Sequence, residues 1–589
     1  MKVALLFPPH WTPTMPHLAL PVLTGWLRRH GHQVIQRDLN VETYDEILTR
    51  RYLRRAVEQI RQRFGPGASS RPLPFGRPQP DQVSWALSQG PRLAERIEGA
   101  KAVLRSPAFY QVETCEPSFL TIVTALELAS LAHYPAKLEL TRFIGPGRAD
   151  SSRDLLRVAR DPQINPFYDI FRRGVLRDLE RERPELVGIS IPTEGQLLAG
   201  LTLAALIRDA GLQCHITVGG PHITMLREQL PDVPALFDLF DSAVLFEGER
   251  PLLDLIAALE GPSDLAGVPN LIYRVLGAKP VIRTNPPARL AEMRAAAQDS
   301  SPDFVGLALE RYLSPEPVLP LATSHGCYHG KCGFCNVGYG NPFHYFPHPV
   351  EQVAAQVSEL SRKYNCRHFF FVDEAITPRC LRLLPAALAK AGAEVSWCGA
   401  VRFEKALTDS ILAELGRGGC RMLDFGLESA SEPVMECMEK GTQLAEMGRI
   451  LESGAAAGIW NHTFFFFGFP GETMADAQQT VNFIYSHQGA IHSGSPGAFL
   501  LERYSPVYRE PHKYGVRRID TGPERDLAIY FEYELERGLD EDTANQLADR
   551  LVDQLPVKRN GMYYINDIYR FLFASELRRK NQPLPVWIE

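Results

Sequence analysis

Three cysteines stand within nine positions of this 589-residue chain, in the segment Thr323-Ser324-His325-Gly326-Cys327-Tyr328-His329-Gly330-Lys331-Cys332-Gly333-Phe334-Cys335-Asn336. Thiolates so spaced hold soft metals, either as an iron–sulfur cluster or as zinc. Three arrangements compete. A cluster on three cysteines leaves one iron open. A closed ferredoxin-type centre fits the spacing equally well, because Cys-x4-Cys-x2-Cys is the plant-type pattern and Cys366 lies downstream as a further thiol. Structural zinc could recruit His325 or His329, but it usually closes on two short knuckles and no second knuckle occurs.

Position separates these readings. The loop follows the first of six expected strands: Val318 to Thr323, His368 to Asp373, Val395 to Val401, Met422 to Leu427, Trp460 to Phe467 and about Ala498 to Tyr504. Helices between them carry start signals at Thr377-Pro378, Thr408, Thr442 and Thr473. Apolar strands such as Phe369-Phe370-Phe371-Val372 suit a parallel sheet buried on both faces, which predicts a partial (β/α)6 barrel of TIM type over residues 318–505. Active groups then collect at the C-terminal ends of the strands. The cysteine loop lies there, whereas Cys366 precedes the second strand at the opposite end, so only three ligands reach one cluster.

The first half of the chain alternates as well. Val3 to Phe7, Val34 to Asp38, Leu186 to Ser190, His215 to Val218 and Ser242 to Phe246 read as strands, with helices over Leu18 to Arg29, Leu197 to Ala210 and from near Pro251. This predicts an open parallel α/β sheet of Rossmann type over residues 1–276, with ligands at its strand C-termini. Residues 40–185 read as a helical insertion, broken by the Pro/Gly/Ser stretch Gly65 to Pro80. Residues 277–317 read as a linker, and 506–589 as a helical C-terminal region.

Composition narrows the partners. A net charge of -6 offers no basic field for nucleic acid, and 45% hydrophobic with 22% charged residues is ordinary for a globular protein. Runs such as Thr463 to Phe467 are too short to cross a bilayer, and the apolar start ends at Pro8-Pro9-His10, too early for a signal peptide. No nucleic-acid partner, no membrane partner and a cytoplasmic location are therefore expected. Ten cysteines are too sparse for a disulfide scaffold.

With Phe334 ahead of its last cysteine, the loop resembles the motif of the radical S-adenosylmethionine family, although the family's usual spacing has one residue fewer before the second cysteine. The resemblance implies a 4Fe–4S cluster on Cys327, Cys332 and Cys335, whose open iron chelates S-adenosylmethionine and cleaves it to a carbon radical. It also implies contacts to that cofactor from Phe334, from Asp373 and Glu374 at the amino group, from Arg402 at the carboxylate, and from Gly426, Glu428 and Ser429 beside the ribose. Gly468-Phe469-Pro470-Gly471-Glu472 is similar to a turn of the branch that carries an N-terminal cobalamin-type domain. Each match has a plainer reading, Arg402 or Glu428 as a rim ion pair and Gly-Phe-Pro-Gly as a tight turn.

Phe7-Pro8-Pro9, His30-Gly31-His32, Val187-Gly188-Ile189-Ser190, Val218-Gly219-Gly220-Pro221-His222 and Glu247-Gly248-Glu249 resemble that cobalamin-binding domain. The resemblance implies cobalamin held by Pro9, Ser190, Thr193, Gly219, Gly220, Glu247 and Gly248. Asp-x-His-x-x-Gly is absent, so no histidine lower ligand is implied. The expected activity is methylation of an unactivated carbon on a small-molecule or peptide substrate, with flavodoxin or ferredoxin as electron donor. Oxidative cyclisation or rearrangement without methyl transfer is the alternative enzyme, and an iron–sulfur electron carrier or sensor the alternative from another class. Hydrogen abstraction needs positioning more than proton transfer, so no acid–base pair is assigned. Tyr328, His329, Tyr339 and His344 are read as structural members of the loop.

Overall fold

The computed structural model describes residues 1–67, 75–261, 264–275, 277, 280–340, 345–554 and 561–586. Parts of the Pro/Gly/Ser stretch (68–74), the expected linker (278–279) and the tail (555–560 and 587–589), together with His344, lie outside the described residues. The chain forms two units, Met1–Pro315 with Gly522–Ala528, and Glu316–Thr521 with Ile529–Glu589.

The first unit is built on a seven-stranded sheet. Its strands are β1 (Lys2–Phe7), β2 (Gln33–Asp38), β3 (Leu186–Ser190), β4 (His215–Gly219), β5 (Ser242–Val244), β6 (Leu271–Val275) and β7 (Val281–Thr284), in spatial order β2-β1-β3-β4-β5-β6-β7. The first five pair in parallel, as their apolar runs predict, but β6 and β7 are antiparallel. The expectation of an all-parallel sheet is thus corrected to a mixed one. The few residues between β6 and β7 suffice for an antiparallel turn and fall short of a parallel crossover.

The stretch read as a linker holds β7 and the helix Leu290–Asp299. β7 is an edge strand with mostly exposed side chains, so it lacks the apolar signature that marks a buried strand. The chain leaves β1 toward β2 on one side and returns at β3 on the other, which puts the topological switch point between β1 and β3.

Among the described residues, seven α-helices run between β2 and β3, from Leu39–Ile47 to Val175–Glu182, with a short ribbon pairing Lys137–Leu138 with Phe143–Ile144. Asp38 and Thr49 cap the first two helices by accepting the backbone N–H groups of Val41 and Tyr52. The helix Val112–Ala132 is long and apolar enough to cross a membrane by length and composition, although the apolar runs of the sequence are short. It packs against Arg50–Phe64 and Pro80–Leu104, and 61% of its most apolar window is buried inside the fold.

The second unit holds six parallel strands in sequential order: β8 (Val318–Leu321), β9 (His368–Phe371), β10 (Ser396–Val401), β11 (Cys420–Glu428), β12 (Trp460–Phe467) and β13 (Ser493–Ala498). The sixth strand precedes its expected place at 498–504. Ser493-Gly494-Ser495-Pro496-Gly497 has weak strand propensity, but an edge position tolerates proline, and among the described residues β13 pairs with β12 alone. The apolar Leu501 instead pairs antiparallel with Phe531.

Thr377, Thr408 and Thr473 cap their helices as expected. Thr442 does not; the helix Leu444–Ala456 begins after Gln443, and the Thr442 hydroxyl faces Met435 Sδ at 3.7 Å. The tail is mixed rather than helical, since Val516–Ile519 pairs with Tyr533–Leu535 ahead of the helices Glu541–Gln554 and Asp567–Arg579.

Candidate active site

At the C-terminal end of β8 the chain enters the cysteine loop through Gly326, and Gly330 turns it between Cys327 and Cys332; both glycines are left-handed, at φ 70° and 60°. The longer spacing thus contains its own glycine turn. A hydrogen bond of 3.1 Å from Cys335 N–H to Cys332 carbonyl closes the second turn. Gly333 pins the loop, donating to Met438 carbonyl at 2.8 Å and accepting from Val507 N–H at 3.0 Å. A Cβ at Gly333 would meet the Tyr514 ring at 3.1 Å, so the position suits glycine on steric grounds.

Three side chains tie the loop to its surroundings. Tyr328 O–H donates to Glu404 Oε1 at 3.0 Å, and a His329 ring nitrogen lies 2.9 Å from Glu439 carbonyl. Asp373, fully enclosed after β9, accepts from Thr323 N–H at 2.8 Å, Thr323 hydroxyl at 2.6 Å and Ser324 hydroxyl at 2.7 Å. Burial raises its pKa against the pull of these donors. Its carboxylate braces the entry to the loop, whereas the resemblance implies a contact to a cofactor amino group. Tyr339 is left-handed at φ 56°.

The three thiols are half-buried, and none is in a disulfide. Cys366 is buried at the other end of the sheet, its sulfur 3.2 Å from the carbonyl oxygens of Pro317 and His368. Among the described residues no three His, Cys, Asp or Glu side chains form a ligand set for a single metal ion.

Around the second cysteine stands a cationic pair. Arg402, buried after β10, donates to Cys332 Sγ at 3.7 Å, to Glu404 at 3.2 Å and to the carbonyl of Lys440. Lys440, also buried, pairs with Glu428 Oε1 at 2.8 Å, and its ammonium lies 5.8 Å from the Phe334 ring centroid. Glu428 is itself left-handed at φ 59°, beside a break in the β11–β12 register. Burial raises the Cys332 thiol pKa, and Lys440 and Arg402 work in the opposite direction. Glu404 and Lys440 lie in no recognisable motif, so only the fold brings them to this site.

The other residues expected here divide. Ser429 is fully buried, and its hydroxyl engages Thr480 Oγ1 at 3.2 Å and Ser431 N–H. Glu374 is accessible, yet dense surroundings and the Asp373 carboxylate raise its pKa. It lies close enough to Glu502 to help burial push that carboxyl up to about 7. The Gly468–Glu472 turn closes on itself, with Glu472 accepting Gly468 N–H at 2.5 Å and glycines at φ 83° and 90°.

In the first unit a cavity of about 450 Å³ opens at the β1/β3 switch point. Its walls come from His10, Trp11 and Thr12 after β1, Thr193 and Glu194 after β3, and the insertion segment 141–149. Of the seven residues implied for cobalamin only Thr193 lines it; Pro9, Ser190, Gly219, Gly220, Glu247 and Gly248 do not. At Gly220, φ 108°, a Cβ would meet Ile191 carbonyl oxygen at 2.8 Å, and at Gly219 it would meet Val244 carbonyl oxygen at 3.2 Å. Neighbouring backbone therefore fills the space beside both glycines. The insertion wall has no sequence signature that could have announced it.

Comparison with known proteins gives the wider context. Residues 321–484 match the model of the Radical SAM superfamily. An uncharacterized methyltransferase of Pyrococcus horikoshii is 26% identical over 343 residues, spanning 57% of this chain and 72% of that one. Bacteriochlorophyllide d C-12(1)-methyltransferase of Chlorobaculum tepidum is 22% identical over 280 residues, 46% of this chain and 55% of the relative. The radical S-adenosylmethionine methyltransferase TsrM of Kitasatospora setae, solved with cobalamin and a [4Fe-4S] cluster, superimposes with a TM-score of 0.56 over 98% of both chains at 14% identity. The cobalamin-dependent enzyme OxsB, solved with aqua-cobalamin and S-adenosylmethionine, gives 0.52 over 69% of this chain and 64% of its own at 17% identity. At such identities these likenesses establish the fold.

Proposed function

We propose that this chain, whose residues 321–484 form a radical SAM domain, is a cobalamin-dependent enzyme that methylates an unactivated carbon. The carrying observation is the position of Cys327, Cys332 and Cys335 on one pinned loop at the C-terminal end of β8, with Cys366 at the opposite end of the sheet. The donor set fits a cluster with one open iron. Three thiols stand on the loop, and two buried cations, Arg402 and Lys440, oppose the negative charge such a cluster carries. Bound there, the cluster and S-adenosylmethionine would supply a carbon radical, and a corrinoid in the first unit a methyl group.

The chain's own residues would then position and shield. Glu374 is the accessible carboxylate for an ammonium group, since Asp373 is spent on Thr323 and Ser324. Phe334 packs edge-on against Phe466 with ring centroids 5.2 Å apart, an apolar wall beside the thiols. In the first unit, the switch-point cavity supports a corrinoid by its place in the topology. At about 450 Å³ it suits only part of so large a group, such as a nucleotide tail. The aromatic Trp11 and the polar Thr12 and Thr193 are the residues that would hold it. The substrate class is a small molecule or peptide, with a flavodoxin or ferredoxin as electron source.

A second reading has one observation in its favour. The filled space beside Gly219 and Gly220 is what a domain retained as a scaffold would have, with radical oxidation or rearrangement and no methyl transfer. Anaerobic reconstitution tests both. Iron and sulfide near four per chain, release of 5'-deoxyadenosine and retention of corrinoid through gel filtration are expected. Failure to cleave S-adenosylmethionine sinks the enzyme reading; cleavage without corrinoid retention sinks the methylation reading.

A further inference from the structure

Lys440 lies outside every motif, yet it occupies the centre of the cysteine loop's surroundings. Its carbonyl accepts from Arg402, its ammonium pairs with Glu428 at 2.8 Å, and the same ammonium lies over the ring of Phe334, the residue before Cys335. Arg402, held by that carbonyl, directs a guanidinium N–H at Cys332 sulfur. Both cations are at least nine-tenths buried, so water screens their fields weakly.

The arrangement resembles no carboxylate clamp. The Lys440 ammonium is neutralised by a carboxylate of this chain, and the Arg402 fork is divided among Glu404, a carbonyl and a sulfur. Charge placed against ligand sulfurs acts on the cluster they hold. A positive field and an N–H···S bond stabilise the reduced, more negative form relative to the oxidised one. Glu428, the carboxylate of the same ion pair, acts with the opposite sign.

We infer that Arg402 and the Lys440–Glu428 pair set the reduction potential of the cluster on Cys327, Cys332 and Cys335, with Lys440 as a positioning and tuning residue rather than a catalytic one. The inference rests on the cluster reading above. Only one electron enters, from a soluble reductant, and no bond is made or broken.

The test is a mediated redox titration of the reconstituted full-length protein without S-adenosylmethionine, read by the electron paramagnetic resonance of the reduced cluster. Lys440→Met is expected to move the midpoint to more negative values, cutting the fraction reduced at a fixed potential on the order of threefold. Glu428→Gln should move it the other way, and Lys440→Arg should leave it near the parent value. Because Lys440→Met buries an unpaired carboxylate, it can fail to assemble a cluster; the sign of the Glu428→Gln shift then decides alone. Normal iron content with unmoved midpoints, or shifts of the same sign in Lys440→Met and Glu428→Gln, overturns the inference. Normal clusters in the cysteine variants would instead overturn the cluster reading.

Discussion

Lys440 Nζ stands 2.8 Å from Glu428 Oε1 beside Gly426, where a Cβ would meet the ammonium at 2.7 Å and the carboxylate oxygen closer still. Glycine at 426 is the condition for this ion pair. Gly426→Ala should separate the buried charges at a cost of about 2 kcal/mol or more. Thermal unfolding of the cofactor-free protein checks this, and an unchanged midpoint would contradict the packing described.

Asp373 ties the entry of the cysteine loop to the end of β9 through three hydrogen bonds. Asp373→Ala leaves the Thr323 N–H and both hydroxyls without their acceptor, which should cost roughly 2–3 kcal/mol and lower the iron retained after reconstitution. Full iron content at unchanged stability would show that the loop holds itself.

Cys366 is a buried thiol facing two carbonyl oxygens. Cys366→Ala should cost about 1 kcal/mol and keep the full iron and sulfide content. Each of Cys327→Ala, Cys332→Ala and Cys335→Ala should lose most of it. Loss of cluster in Cys366→Ala would revive the ferredoxin-type alternative.

Gly220 combines φ 108° with a close approach to the Ile191 backbone. Gly220→Ala should destabilise the first unit by about 2 kcal/mol in the complete absence of corrinoid. If stability is unaffected and only corrinoid retention falls, the glycine serves a ligand rather than the fold.

Burial pushes the Glu472 carboxyl up to about 7, against the pull of the N–H donors of Gly468 and Phe469's turn. The unfolded carboxyl titrates near 4.5, so the folded state binds the extra proton between these values. The resulting cost is absent below about pH 4.5, grows as the pH rises, and is complete above about 7. Glu472→Gln removes it while keeping an acceptor for Gly468. The variant should therefore gain on the order of 2 kcal/mol over the parent at pH 8 and nothing at pH 4.5, as seen in denaturant melts. An equal difference at both values would contradict the assignment.

Much of the architecture was legible because burial imposes composition. β1 and β9 are largely buried and carry the apolar runs Val3 to Phe7 and Phe369 to Phe371, and the N-caps at Thr377, Thr408 and Thr473 announce themselves by a side chain that bonds its own helix. The edge strands β2 and β8 were legible, whereas β7 and β13 were not. β7 and β13 each have one paired side and little apolar pattern, so one was read as linker and the other was displaced along the chain. β6, Leu271–Val275, has no place in the expected strand alternation either, so the antiparallel extension of the first sheet was not foreseen.

At the site, the sequence by itself determined the three clustered thiols, their spacing and their place after a strand, because these are properties of neighbouring residues. It could not say how Asp373, Arg402 and Glu428 are used, because their partners Thr323, Glu404, Cys332 and Lys440 converge from different strands and loops. Nor could it show that Gly219 and Gly220 are packed against Val244 and Ile191 backbone, or that segment 141–149 walls the switch-point cavity. A side chain's type fixes what it can donate or accept. Only the tertiary structure, by bringing distant groups within hydrogen-bonding reach in a buried setting, decides which partner it meets and which charge is left to act on a cofactor.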